Sequence, residues 1–167
     1  IRAFRKVVDR FSNARLIIAG EPAPTPESLE YYKKLLVLVK ELRLGNNIRF
    51  VGYVPEHDCR KYYGASAVVL LPYSQVTQSA ALHDAISYNM PVIVTDLPGF
   101  REVIRERVNG LFVKYGDADG MAEKINLIFS SPALEKRIRK NNKSLAEKLS
   151  WENIIDIYVK LYKRCLS

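Results

Sequence analysis

The chain has 167 residues, 48% apolar and 26% charged, with a formal net charge of +8. That length suffices for one domain with a real core, and the composition is that of an ordinary soluble globular protein. No apolar run approaches a membrane span and no signal-peptide pattern opens the chain, while Cys59 and Cys165 stand in no metal or redox spacing and read as reduced thiols of a cytoplasmic protein.

Ile1, Phe4, Val7, Val8 and Phe11 recur at helical spacing, so the chain opens in a helix. Arg15–Gly20 reads as a first strand. Thr25 and Pro26 then suit the cap and first position of a helix that runs to about Arg43, with Gly45 as its stop. Asn47–Gly52 is a second strand, with Tyr53-Val54-Pro55 as its exit and a short helix over Glu56–Tyr63. Two unbroken apolar runs, Val68–Pro72 and Pro91–Asp96, read as buried parallel strands. Pro98-Gly99 opens a helix to about Glu106. Asn109-Gly110 marks a turn into a short last strand, Leu111–Val113. Three helices follow: Asp117–Phe129, Ser131–Leu149, and a last one capped by Ser150 with Trp151, Ile154, Ile155, Tyr158, Leu161 and Tyr162 as an apolar stripe that predicts burial. Alternating strands and helices predict a single α/β domain, a parallel sheet covered on both faces.

The stretch between the two buried strands, Tyr73 to Ala85, combines a strand exit, a polar loop and a helix start. Ligands of open α/β sheets bind at the carboxyl ends of strands. Thr77, Gln78 and Ser79 fall where a new helix has unpaired N–H groups suited to a phosphate; the bland alternative is an N-cap at Thr77 or Ser79. The positive charge also points to an anionic partner, a nucleotide or a phospholipid surface. Its basic residues are scattered over Lys33-Lys34, Arg60-Lys61, Arg101–Arg107 and Lys136–Lys143 without interleaved aromatics, which argues against nucleic acid. His57 and His83 have no partner at catalytic spacing.

The series Leu16–Gly20, Ile48–Val54, Ala65–Pro72, Asn89–Asp96, Pro98–Ile104, Asn109–Val113, Gly116-Asp117 and Ser150–Glu152 resembles, in order and over nearly the whole chain, the C-terminal donor-binding domain of glycosyltransferase family four. Thr77-Gln78-Ser79 resembles a branch in which these residues replace Glu-Gly-Phe-Gly. The resemblance implies a Rossmann-like domain, one half of a retaining GT-B enzyme. Such an enzyme moves a sugar from a UDP- or GDP-sugar to a lipid-linked, polysaccharide or other glycan acceptor, with no cofactor and no metal. It implies phosphate contacts from Thr77, Gln78 and Ser79, base contacts from Tyr53 and Val54, and a ribose contact from Asp84, one methylene shorter than the usual Glu. Glu21 falls on the cleft side. Val76 stands where the family has the acidic residue that meets the sugar, and valine accepts no hydrogen bond. Glu102 is expected to be a structural brace. The last helix either covers the core or reaches back toward the acceptor domain.

The resemblance also implies what is missing: the family's first strand, its Arg/Lys diphosphate clamp and the whole N-terminal acceptor domain. The chain alone is therefore expected to be inactive, as part of a longer cytoplasmic enzyme with a peripheral contact at an anionic inner membrane face. Two rivals stand beside this reading. A scaffold would keep the fold without catalysis. A sugar-nucleotide epimerase is disfavoured by the lack of Gly-x-Gly-x-x-Gly after the first strand and of Tyr-x-x-x-Lys, Tyr63 being followed three residues on by Ser66.

Overall fold

The computed structural model describes residues 1–166. Helix α1 spans Arg2–Arg10, β1 Leu16–Ala19, α2 Pro26–Glu41, β2 Ile48–Gly52, α3 Glu56–Ala65, β3 Val69–Leu71 and α4 Ala80–Ser87. Then come β4 Val92–Thr95, α5 Pro98–Arg101, β5 Leu111–Val113, α6 Ala118–Ser130, α7 Pro132–Lys148 and α8 Trp151–Cys165. The expected caps at Thr25 and Ser150 are present, and Asp117 caps α6 in the same way. Thr25 Oγ1 accepts from Ser28 N–H at 3.3 Å with Pro26 at the first helical position, Asp117 accepts from Gly120 N–H at 2.8 Å, and Ser150 from Asn153 N–H at 3.4 Å.

All strand pairs are parallel. They form a two-stranded piece, β1-β2, with Leu16 opposite Ile48, and a three-stranded piece, β3-β4-β5, with Leu70 opposite Ile93 and Ile93 opposite Leu111. Side chains of successive strand residues point to opposite faces. Leu70, Ile93, Leu111 and Val113 therefore join Phe4, Val7, Met121 and Ile125 in one core, whereas Leu71, Val92, Val94 and Phe112 join Leu82, Ile86 and Phe100 in a second. Every residue of β4 is buried, which is why its sequence shows no polar alternation. Burial of each such Val or Ile contributes about 1.5–3 kcal/mol. The ring of Phe11 meets that of Phe129 edge-on at 5.4 Å, where α1 lies against α6.

Between β1 and β3 no backbone hydrogen bond forms among the described residues. In place of a continuous sheet there is an apolar groove of about 300 Å³, lined by Leu16, Leu70, Phe4, Leu35, Leu38 and Met121, with Ile1 at its wall. Two strand edges are thus left uncovered, a state that proteins usually avoid.

Three local expectations are corrected. Arg43, not Gly45, takes the left-handed position after α2 (φ 53°), because Leu44 N–H reaches back to the Val39 carbonyl at 2.9 Å and closes the helix there. Helix α5 is only four residues long. Asn109 takes over the backbone beyond it: its Oδ1 accepts from Arg105 N–H at 2.6 Å and its Nδ2 donates to the Val103 carbonyl at 3.1 Å. Most of the stripe of α8 is exposed, Trp151 at 76% and Tyr162 at 65%, with α7 as the helix's main neighbour.

Candidate functional site

The segment that follows β3 is anchored at both ends. Tyr73 packs on Phe100 with ring centroids 5.6 Å apart, and Ser79 is buried, its Oγ accepting from Leu82 N–H at 3.2 Å as the cap of α4. The Ser79 hydroxyl is thus committed to the helix, as the bland reading had it. Thr77 and Gln78 between these anchors are exposed, and neither backbone N–H has a partner among the described residues. Val76 is half-buried and packs against the second core. The loop rests on the start of α5: a Cβ built on Gly99 would lie 2.7 Å from the carbonyl oxygens of both Val76 and Thr77.

Glu21 and Tyr53 are brought together at the ends of β1 and β2. Gly20 N–H donates to the Gly52 carbonyl at 2.8 Å, and Glu21 Oε1 accepts from Tyr53 N–H at 3.3 Å. Gly52 sits at φ 67°, a left-handed turn that glycine adopts without strain, and this turn brings the next N–H to the carboxylate. Tyr53 is 70% exposed and Val54 half-buried.

Asp84 lies exposed on α4, and its carboxylate makes no hydrogen bond or ion pair among the described residues. Across from it α3 is held by Tyr63, stacked on Tyr88 at 4.7 Å and 17°. Burial, and next the Asp84 carboxylate, push the Tyr63 hydroxyl up to about 12. On the same helix Cys59 Sγ lies 3.6 Å from the carbonyl of Pro55, the N-cap of α3, a contact local to its first turn. Tyr63 thus sets α3 against α4, the helix that carries Asp84.

Some roles fall on residues that the spacing did not mark. The Glu102 carboxylate makes no hydrogen bond or ion pair among the described residues; the brace is Glu106, which accepts from Phe112 N–H at 2.7 Å and pairs with Lys124 at 3.0 Å. Asn142 is fully buried in α7 and donates to the Met90 carbonyl at 2.7 Å and the Asn109 carbonyl at 3.0 Å, fixing the starts of β4 and β5. Among the described residues no group of three His, Cys, Asp or Glu side chains is placed to hold a metal, and no helix is long and apolar enough to cross a membrane.

The family model described as glycosyl transferases group 1 matches residues 1–145. An uncharacterized glycosyltransferase of Methanocaldococcus jannaschii is 29% identical over 164 residues, 98% of this chain and 40% of that protein. Among solved structures, a sucrose-phosphate synthase of Thermosynechococcus elongatus superposes with a TM-score of 0.83 at 23% identity, over 99% of this chain and 42% of that one. Anabaena HepE, solved in complex with UDP, gives 0.80 at 18% identity, over 96% and 44%. The chain spans about 40% of the length of the curated relatives that it matches. Its α/β fold is that of these proteins.

Proposed function

The chain belongs to the group 1 glycosyl transferases, and from that premise we propose that it is the C-terminal, donor-binding part of a retaining family-four enzyme. In this reading the longer protein transfers a sugar from a UDP- or GDP-sugar to a lipid-linked, polysaccharide or other glycan acceptor. The observation that carries it is the Val76–Ser79 loop, which offers two partnerless backbone N–H groups beside the first turn of α4. Thr77 and Gln78 take the diphosphate there. The partnerless Asp84 carboxylate takes the ribose hydroxyls, as acidic residues do in dinucleotide sites. Tyr53 and Val54 meet the base, with Glu21 holding the Tyr53 backbone. HepE, a protein of the same fold, was solved in complex with UDP, which supports a nucleotide as ligand of the longer protein.

The groove between β1 and β3 lies between two strands that do not pair with each other, and we propose that one more strand fills it, with Ile1 at its wall. In this proposal the strand belongs to the polypeptide preceding Ile1 in the longer protein. Leu16 and Val69 N–H already donate to the Asn47 and Pro91 carbonyls, so by the alternation of a parallel ladder the Ile17 and Leu70 amides face the open edges, and fast exchange at these two in an upstream-extended protein would end that part of the reading.

Val76 packs against the core and offers no acceptor, which favours a second reading, a scaffold that keeps the fold without transfer. Sugar transfer by the longer protein would exclude the scaffold, and turnover by this chain alone would contradict its expected inactivity. The nucleotide proposal is tested by heteronuclear NMR titration with UDP, GDP and ADP. Shifts confined to Tyr53-Val54, Thr77-Gln78 and Asp84 with one of them name the base. No shift with any of them overturns the donor reading for this chain.

A further inference from the structure

In a trans peptide the carbonyl and the N–H of one plane point in opposite directions, and no peptide among the described residues is cis. The carbonyls of Val76 and Thr77 are turned to the Gly99 side, where a Cβ would approach both oxygens to 2.7 Å and the Thr77 carbonyl carbon to 3.2 Å. The partner N–H groups of those two planes are those of Thr77 and Gln78. They therefore point away from Gly99, out of the protein, and they are the pair left without acceptors.

We infer that Gly99 is a positioning residue for the phosphate-facing loop: the bare Cα lets the loop seat on the start of α5 and so fixes the direction of the Thr77 and Gln78 N–H groups. This inference rests on the nucleotide reading above. Gly99 needs no left-handed backbone, so conformational freedom is not what the position selects. The missing side chain is. Any Cβ meets backbone oxygens, which cannot rotate aside as the end of a flexible side chain would. The loop must shift, and its two peptide planes must turn with it.

The diagnostic property is selectivity for the phosphates. A loop displaced at Thr77 and Gln78 loses contacts to a diphosphate and keeps those to the nucleoside, which the proposal assigns to other elements. NMR titrations with UDP and with uridine are made on the unaltered chain, on Gly99→Ala and on Gly64→Ala, a control whose Cβ would meet nothing within 4 Å. Gly99→Ala should weaken UDP by about tenfold or more, the value of one or two hydrogen bonds to a charged group. Uridine should change by less than about twofold on the same scale, and Gly64→Ala should move neither. Equal losses for UDP and uridine overturn the inference, as does no loss. In the free protein Gly99→Ala should already shift the Thr77 and Gln78 amide resonances; unchanged resonances overturn the role of Gly99 whether or not a nucleotide binds. Should Gly99→Ala not fold, the unaltered chain decides. Its Thr77 and Gln78 amides should move with UDP and stay with uridine, and any other pattern overturns the inference. Absence of UDP binding by the unaltered chain instead removes the nucleotide reading itself.

Discussion

Replacing Asn142 by alanine tests how the two ends of the β3-β4-β5 piece are held. The Asn142 amide nitrogen is the partner of the Met90 carbonyl at 2.7 Å and of the Asn109 carbonyl at 3.0 Å, and the residue is fully buried. Truncation leaves two buried carbonyls unpaired, each costing about 1–3 kcal/mol. It also removes Asn142 Oδ1, itself buried and without a partner, which returns about 1 kcal/mol. The cavity adds a smaller loss. The net is about 1–5 kcal/mol, each kcal/mol being worth about 2–4 °C in Tm for a domain of this size. Asn142→Leu fills the volume and still leaves both carbonyls unmet, so it too should lose about 1–5 kcal/mol. Asn141→Ala removes an exposed bond to the Val108 carbonyl at 2.7 Å and should cost about 0.5 kcal/mol. Urea unfolding at constant m-value measures all three. If Asn142→Ala cost less than Asn141→Ala, or Asn142→Leu matched the unaltered chain, the buried network would not be holding the strand starts.

The Tyr63 hydroxyl is raised from 10.0 to about 12 by burial and then by Asp84, so the folded state holds this proton more tightly than the unfolded chain. Its stabilising share is complete below pH 10 and is lost as pH climbs toward 12, about 1 kcal/mol after allowance for solvent screening. Tyr63→Phe should flatten that part of the alkaline unfolding curve, measured as the difference from the unaltered chain; identical curves would contradict the assignment. Asp84→Asn should weaken UDP by about tenfold and leave 2′,3′-dideoxyuridine diphosphate unchanged, because only the first offers hydroxyls to the carboxylate. Equal weakening of both ligands would remove the ribose role.

The sequence by itself determined the order of the elements, the caps at Thr25 and Ser150, the two buried strands around Tyr73–Ala85, and the family. These signals are local: a cap involves residues three apart, and a face repeats every two or every three to four residues. The tertiary structure alone decided which polar groups are already committed. Asn142 lies in a run that reads as a basic solvated helix face, and its partners stand 33 and 52 residues away. Ser79, Thr77 and Gln78 look alike in sequence, yet burial gives the first to the helix and leaves the other two N–H groups open. Glu106 rather than Glu102 meets Lys124 because the Asn109 side chain breaks the helix early and turns the backbone between them. Gly99 reads as half of a Pro-Gly turn, and only the approach of a loop that begins 23 positions earlier shows why no side chain fits there. Pairing across such distances follows from how helices and strands pack, a property of the whole fold that no window of neighbouring residues contains.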